Sequence, residues 1–169
     1  MIELLTSLVA ITLRSGTSLM YATVGEIYTE RSGILNLGVE GMMLMSAVTS
    51  FATVYHTGSL FLAILVAMLV GGALASIHAF LSITMRANQV VSGLSITLFG
   101  SGMASFLGQR LGPESNRGYL VGLVGAKFDP IAIPLLCDLP IIGAIFNQDV
   151  MTYIVYFLLP AGWYYLYKT

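Results

Sequence analysis

The sequence predicts an all-α, polytopic membrane protein with roughly five transmembrane helices. Hydrophobic residues make up 57% of the chain and charged residues only 9%, and the mean hydropathy is +0.88. A soluble domain carries about 25% charged residues. Apolar stretches also recur along the chain at lengths close to the ~20 residues that a helix needs to cross a bilayer. The bilayer is therefore the expected solvent of this chain.

The first two apolar stretches differ in length. One runs from about Leu4 to Tyr28 and ends at the polar cluster 29–33. The next runs from Met42 to about Tyr55 and ends at the turn residues 56–58. We expect a helical span from each, although the second is short for a full crossing.

Three further stretches complete the predicted helices. Ser59 to Met85 is long and apolar, and Gln89 to Leu107 follows it after a short polar connection. The last, Val150 to Tyr167, is rich in aromatic residues near its end. Such residues are typical of the headgroup region of a membrane, so this helix is expected to end at an interface.

Residues 109–149 have a different character and are predicted to form a loop outside the membrane. Four of the five prolines, Pro113, Pro130, Pro134 and Pro140, lie here. Proline interrupts helices, so the apolar residues between these prolines are expected to lie in the interface or to re-enter the membrane rather than cross it.

The positive charges in the short connections predict the orientation of the chain. If the spans alternate, Arg31, Arg86 and Lys168 fall on one side, whereas the opposite short connection, 56–58, has no Lys or Arg. Cytoplasmic connections are enriched in these two residues. We therefore expect the N-terminus and an extracytoplasmic loop at 109–149 on the other side of the cell membrane.

The composition and motifs exclude several classes of function. The formal net charge is −1 and no run of Lys or Arg exceeds one residue, so no nucleic-acid surface is expected. Neither lysine follows the glycine pattern of a phosphate loop, and no zinc-binding or nucleophile motif occurs. The single cysteine, Cys137, is interpreted as a small apolar residue. We expect no catalytic residue, metal or cofactor, and therefore no enzyme.

A broken helix is predicted between the first two spans. Gly33, Gly38 and Gly41 surround the polar residues Asn36 and Glu40 in an otherwise apolar region. Glycine allows the backbone to leave helical geometry, and small polar groups can satisfy the amides that become free. A carboxylate inside a bilayer must face protein, water or the interface. Alternatively, Glu40 stabilises the second helix near its N-terminus, where negative charge is favoured.

Two other polar residues lie within predicted spans, and each has two interpretations. His78 is either a neutral imidazole hydrogen-bonded between helices or a participant in transport. Arg14 is either buried at a cost or, more simply, extends its guanidinium to the outer headgroups. We expect His78 to be a neutral imidazole that is hydrogen-bonded between helices. We expect Arg14 to extend its guanidinium to the outer headgroups.

Small residues recur along the fourth span in two rows. Gly93, Thr97, Ser101 and Ser105 are spaced by four residues, and Gly100, Ala104 and Gly108 form another row. Rows of this kind allow helices to pack closely. The hydroxyl groups could instead line a polar route through the membrane, so packing and pathway remain alternatives.

Three segments resemble the bacterial ABC-importer permeases of the ribose and branched-chain amino-acid class. The first is Gly25 to Met43, GEIYTERSGILNLGVEGMM, and the second is Arg86 to Leu94, RANQVVSGL. The third is the pattern from Pro134 through Pro140-Ile141 to Asp149. Together they extend over nearly the whole chain, and the first is specific. The most similar subgroup is the nucleoside and simple-sugar permeases.

The resemblance implies a permease subunit that forms the translocation pathway of an ATP-driven importer. Its implied partners are a cytoplasmic ATPase, a second permease subunit and an extracytoplasmic substrate-binding lipoprotein. The chain itself would alternate between outward and inward access without covalent chemistry. The residues expected to line its pathway are Asn88, Gln89, Ser92, Thr97, Ser101 and Ser105.

Members of this class are longer than the 169 residues of this chain. The chain, a single transmembrane domain over 1–169, is therefore expected to be the N-terminal half of a larger permease fold, truncated at Lys168-Thr169. The helix that couples such permeases to their ATPase would follow this point. A secondary transporter or channel half without an ATPase is the alternative function, because it would also contain glycine-broken helices.

Overall fold

A computed structural model describes residues 2–113, 118–120, 122–134, 136–137 and 142–168. These residues form an all-α fold, which confirms the predicted fold class. Pro140 and Ile141, which belong to the third matching pattern, lie outside the described residues, as does Thr169.

Within the described residues, five long helices follow one another, and each overlaps one predicted apolar stretch. They are α1 (Ile2–Arg31), α2 (Val39–Thr57), α3 (Leu60–Ala79), α4 (Gln89–Gly108) and α5 (Val150–Lys168). A π-helical segment, Phe80–Thr84, continues α3. Two of these helices, Leu60–Thr84 and Gln89–Gly108, are long and apolar enough to cross a membrane by length and composition. The crossing of all five stays a prediction.

The chain divides into two compact units. One comprises Met1–Ile27 and Phe128–Thr169, and the other comprises Tyr28–Lys127. The first contains most of α1 together with α5, and the second contains α2, α3 and α4.

In the first unit, polar side chains of α1 meet the beginning of α5. The Tyr21 hydroxyl donates to the Met151 carbonyl at 2.8 Å, and the hydroxyls of Thr17 and Thr152 lie 3.2 Å apart. The Nε of Arg14 donates to Oε1 of Gln148 at 3.3 Å. Arg14 therefore has a protein partner that the sequence did not indicate.

The predicted loop contains short regular segments. Ile131–Ala132 (β1) pairs antiparallel with Asn147–Gln148 (β2), and a 3-10 helix, Ile142–Phe146, precedes β2. β1 lies between Pro130 and Pro134, and the other two segments follow Pro140 in the sequence. This agrees with the absence of a long helix in the described part of this region. Asp149 then caps α5, because its Oδ1 accepts from the Thr152 amide at 2.9 Å.

In the second unit, α2 packs against both α3 and α4. Met42, Leu74 and Ile96, one from each helix, form its buried hydrophobic cluster. The backbones of α2 and α4 come close together at Gly41 and Gly100: a Cβ on Gly100 would meet the backbone of Gly41, at 2.6 Å from its Cα. The small-residue row of α4 therefore serves close helix packing at Gly100.

Candidate functional site

The chain leaves helical geometry between α1 and α2. Residues 32–38, here called the linker, are non-helical, with Gly33 at a φ of +87°. This left-handed backbone favours glycine. Oδ1 of Asn36 accepts from the Gly38 amide at 3.0 Å, which closes a local turn. Of the motif residues, Asn36 and Gly38 belong to the linker, whereas Glu40 and Gly41 belong to the first turn of α2.

His78 of α3 ties the linker to α4. Its Nε2 lies 3.2 Å from the Leu35 carbonyl and its Nδ1 lies 3.1 Å from Oγ of Ser92. A carbonyl only accepts, so Nε2 carries the proton, and in the neutral ring Nδ1 accepts from the Ser92 hydroxyl. The imidazole is only 3% exposed. The interpretation of His78 as hydrogen-bonded between helices is confirmed.

Two side chains of α4 also bond to the linker backbone. Oε1 of Gln89 accepts from the Leu35 amide at 2.8 Å, and its Nε2 donates to the Gly33 carbonyl at 3.4 Å. The Thr97 hydroxyl donates to the Leu37 carbonyl at 2.7 Å. Together with His78, they satisfy backbone groups that no helix or sheet would satisfy.

Asn88 has a local role at the start of α4. Its Oδ1 accepts from the amides of Val90 and Val91, at 3.0 and 3.2 Å, which makes it the N-cap. Two residues earlier, Arg86 has a φ of 53°. The second matching segment thus forms the turn from α3 into α4.

A groove of about 470 Å³ runs between α2 and α4 in the second unit. Ser101 and Ser105 line it from α4, opposite Leu44, Ala47, Val48 and Phe51 of α2. Leu120, from the loop that follows α4, also lines it. No pattern in the sequence indicated Leu120, because a loop residue has no periodicity that would predict its position.

The six predicted pathway residues therefore divide into two sets. Asn88, Gln89, Ser92 and Thr97 bond to the linker, to His78 or to the start of α4. Ser101 and Ser105 line the groove, and the Ser101 hydroxyl donates to the Leu98 carbonyl of its own helix at 3.1 Å. The volume of the groove falls in the range of small-molecule sites, about 300–1,000 Å³.

The groove holds no set of residues suited to metal chemistry. Among the described residues, no three His, Cys, Asp or Glu side chains come close enough to hold a metal ion. A second, mostly apolar groove of about 490 Å³ lies in the first unit, lined by α1 and α5 around Pro160 and Trp163. Side-chain hydroxyl groups line only the groove between α2 and α4 of the two described here.

The chain matches the family model for the permease component of branched-chain amino acid transport systems over residues 8–169. A putative glucose ABC transporter permease of Haloferax volcanii is 39% identical, covering 94% of this chain and 47% of the relative. A guanosine ABC transporter permease of Bacillus subtilis is 30% identical, covering 99% of this chain and 54% of the relative.

A nucleoside ABC transporter permease of Lactococcus lactis is 29% identical, covering 90% of this chain and 49% of the relative. The chain thus spans about half the length of the curated relatives that it matches. No solved structure matches it significantly. Because the family model extends over nearly the whole sequence, the chain belongs to the permease family of branched-chain amino acid transport systems and is an integral protein of the cell membrane.

Proposed function

We propose that this chain forms the translocation pathway of an ATP-driven importer for nucleosides or simple sugars. This proposal rests on the family match over residues 8–169, together with relatives named as glucose, guanosine and nucleoside permeases. The described helices suit this role, because two of them are apolar enough to cross a membrane. The chain would move its substrate without covalent chemistry.

The proposed partners are a cytoplasmic ATPase, a second permease subunit and an extracytoplasmic substrate-binding lipoprotein. Such a division of labour fits a sequence without a phosphate loop, because the ATPase supplies the energy of each cycle. Alternating access then couples ATP binding to exposure of the pathway on one side or the other.

All five helices are proposed to cross the membrane, with the N-terminus and residues 109–149 outside. Arg31 closes α1, Arg86 lies between α3 and α4, and Lys168 closes α5. In an alternating arrangement these three charges share the cytoplasmic side, as the charge bias of short connections requires.

The substrate is proposed to pass along the groove between α2 and α4, where Ser101 and Ser105 provide hydroxyl groups. A nucleoside or sugar loses hydrogen bonds to water in an apolar pore, at a cost of several kcal/mol for each unmatched group. Scattered hydroxyls offset this cost without binding so tightly that release is slow.

Co-purification and uptake together test this function. The tagged chain is extracted in mild detergent from the membrane of its own host, and the proteins that accompany it are identified. We expect an ATPase and a binding lipoprotein, and uptake of guanosine or glucose that stops when ATP is depleted. Uptake driven by an ion gradient, with no ATPase bound, would contradict the proposal and favour a secondary transporter.

A further inference from the structure

Glu40 lies on the face of α2 that lines the groove. It precedes Leu44 by one helical turn and Ala47 by two, and residues at these spacings share a helix face. On α4, Thr97 precedes Ser101 in the same way. The Glu40 side chain is exposed, and within the described part of the chain it has no hydrogen-bond or ion-pair partner. Glu40 therefore lies one helical turn before Leu44, the first groove-lining residue of α2, on the same face of the helix.

The two membrane-capable helices indicate how deep in the bilayer Glu40 lies. Thr97, which bonds the Leu37 carbonyl, is about 12 Å along α4 from its first residue. The other membrane-capable helix, Leu60–Thr84, contains His78, which bonds the Leu35 carbonyl. His78 lies about 9 Å along this helix from its last residue, Thr84. Gln89, the first residue of α4, bonds Gly33 and Leu35, so the linker runs inward from the end of this span and reaches the depth of Thr97 at Leu37, shortly before Glu40.

The hydrogen bonds of the linker agree with this depth. Non-helical backbone at membrane depth is tolerated only where protein or a water-filled cavity satisfies it. Here His78, Gln89 and Thr97 bond four linker backbone groups in place of water.

We propose that Glu40 faces a water-filled cavity inside the bilayer and contacts the transported solute at the inner end of the groove. A carboxylate facing lipid would be costly, so such a group faces protein, the interface or water. Its two oxygens accept hydrogen bonds only, and so match neighbouring hydroxyl groups of a sugar or ribose. The solute class rests on the proposed function, whereas the position of Glu40 does not.

Thiol labelling tests the position. Single cysteines replace Ser32, Glu40 or Leu98 in a Cys137→Ala background, in membranes of the host. Leu98, which is 74% exposed on α4, is the lipid-facing control. We expect Ser32→Cys to react with both a small charged methanethiosulfonate and a bulky polyethylene-glycol maleimide, Glu40→Cys with the small reagent only, and Leu98→Cys with neither.

Two labelling results would overturn the position. If Glu40→Cys reacts with the bulky reagent as fast as Ser32→Cys does, the residue lies at the membrane surface. If it resists the small reagent as Leu98→Cys does, it faces lipid.

Uptake kinetics test the contact with solute. Glu40→Gln keeps the size of the side chain but removes its charge, so we expect a severalfold rise in the KM of uptake with normal amounts of protein in the membrane. Glu30→Gln, another exposed acid at the end of α1, should leave the KM unchanged. An unchanged KM for Glu40→Gln, with lower stability, would overturn the contact and assign Glu40 to the α2 dipole. Absence of uptake by the parent chain would overturn the proposed function and the solute class, while the labelling result would stand.

Discussion

The two halves of α4 use similar polar residues for different purposes. In the first half, Gln89, Ser92 and Thr97 bond to the linker or to His78, so their polarity serves the fold. In the second half, Ser101 and Ser105 line a groove. The residue types alone would not separate them, because a hydroxyl that satisfies a carbonyl and one that faces a solute look the same in sequence.

The difference also explains why the linker can be irregular. A break between helices exposes amides and carbonyls, and within a membrane each one left unsatisfied costs several kcal/mol. The first half of α4 supplies the missing partners. The second half has no such duty, since it packs against the regular helix α2. Variants in the first half of α4 should therefore reduce mainly stability, and variants in the second half should reduce mainly transport.

The largest loss of stability is expected where α2 and α4 touch, near the middle of α4. A Cβ at Gly41 would meet the Ile96 carbonyl and lie 2.7 Å from Cα of Thr97. Backbone atoms cannot move aside as a side chain can, so Gly41→Val should destabilise the chain by about 3 kcal/mol or more. Thermal unfolding in detergent measures this loss. At Gly72 an added Cβ meets nothing within 4 Å, so Gly72→Val is the matched control and should retain most of the stability.

The next largest loss of stability is expected for His78→Leu. This change leaves the Leu35 carbonyl and the Ser92 hydroxyl without their partner, at about 2–3 kcal/mol. His78→Gln keeps a donor and should lose less. Unfolding by denaturant compares the two variants. Equal losses would mean that the size of the imidazole matters rather than its hydrogen bonds.

A smaller effect is expected for Thr97→Val, which removes one hydrogen bond to the Leu37 carbonyl without changing the shape of the side chain. Hydrogen bonds between membrane helices average ~0.6 kcal/mol, so a loss of that order is expected. Ser95→Ala is the control, because the Ser95 hydroxyl bonds only within α4, to the Val91 carbonyl. If the two variants unfold alike, the linker does not depend on Thr97.

The smallest effect on stability is expected in the groove. Ser101→Ala and Ser105→Ala should change the free energy of unfolding by less than about 0.5 kcal/mol, as surface substitutions usually do. Uptake should nevertheless fall, because the solute loses hydroxyl partners in the groove. Initial rates of uptake at matched protein amounts measure this. Unchanged uptake in the double variant would identify the row as a packing surface.

The sequence predicted the helices better than the site. Long apolar stretches located all five helices, because helix length and apolarity follow directly from composition. The start of α2 was placed at Met42, whereas the helix begins at Val39, because glycine at 38 and 41 suggested that the break extends further. Gly41 instead serves close packing against α4.

The partners of the polar residues could not be predicted from the sequence. His78 and Leu35 are far apart along the chain, and so are Arg14 and Gln148, and nothing in local periodicity pairs them. The spacing of four residues correctly placed Ser101 and Ser105 on one face of α4. It could not separate them from Thr97, whose hydroxyl turns to the linker.

Protection by substrate tests the division of α4 most directly. Single cysteines at Ser92, Ser101 and Ser105 are labelled with a small hydrophilic thiol reagent in the transporting membrane, with and without guanosine or glucose. Substrate should slow the labelling of Ser101→Cys and Ser105→Cys and leave the buried Ser92→Cys unreactive in both conditions. Labelling of Ser92→Cys that substrate suppresses, with no protection at Ser101 or Ser105, would contradict the account.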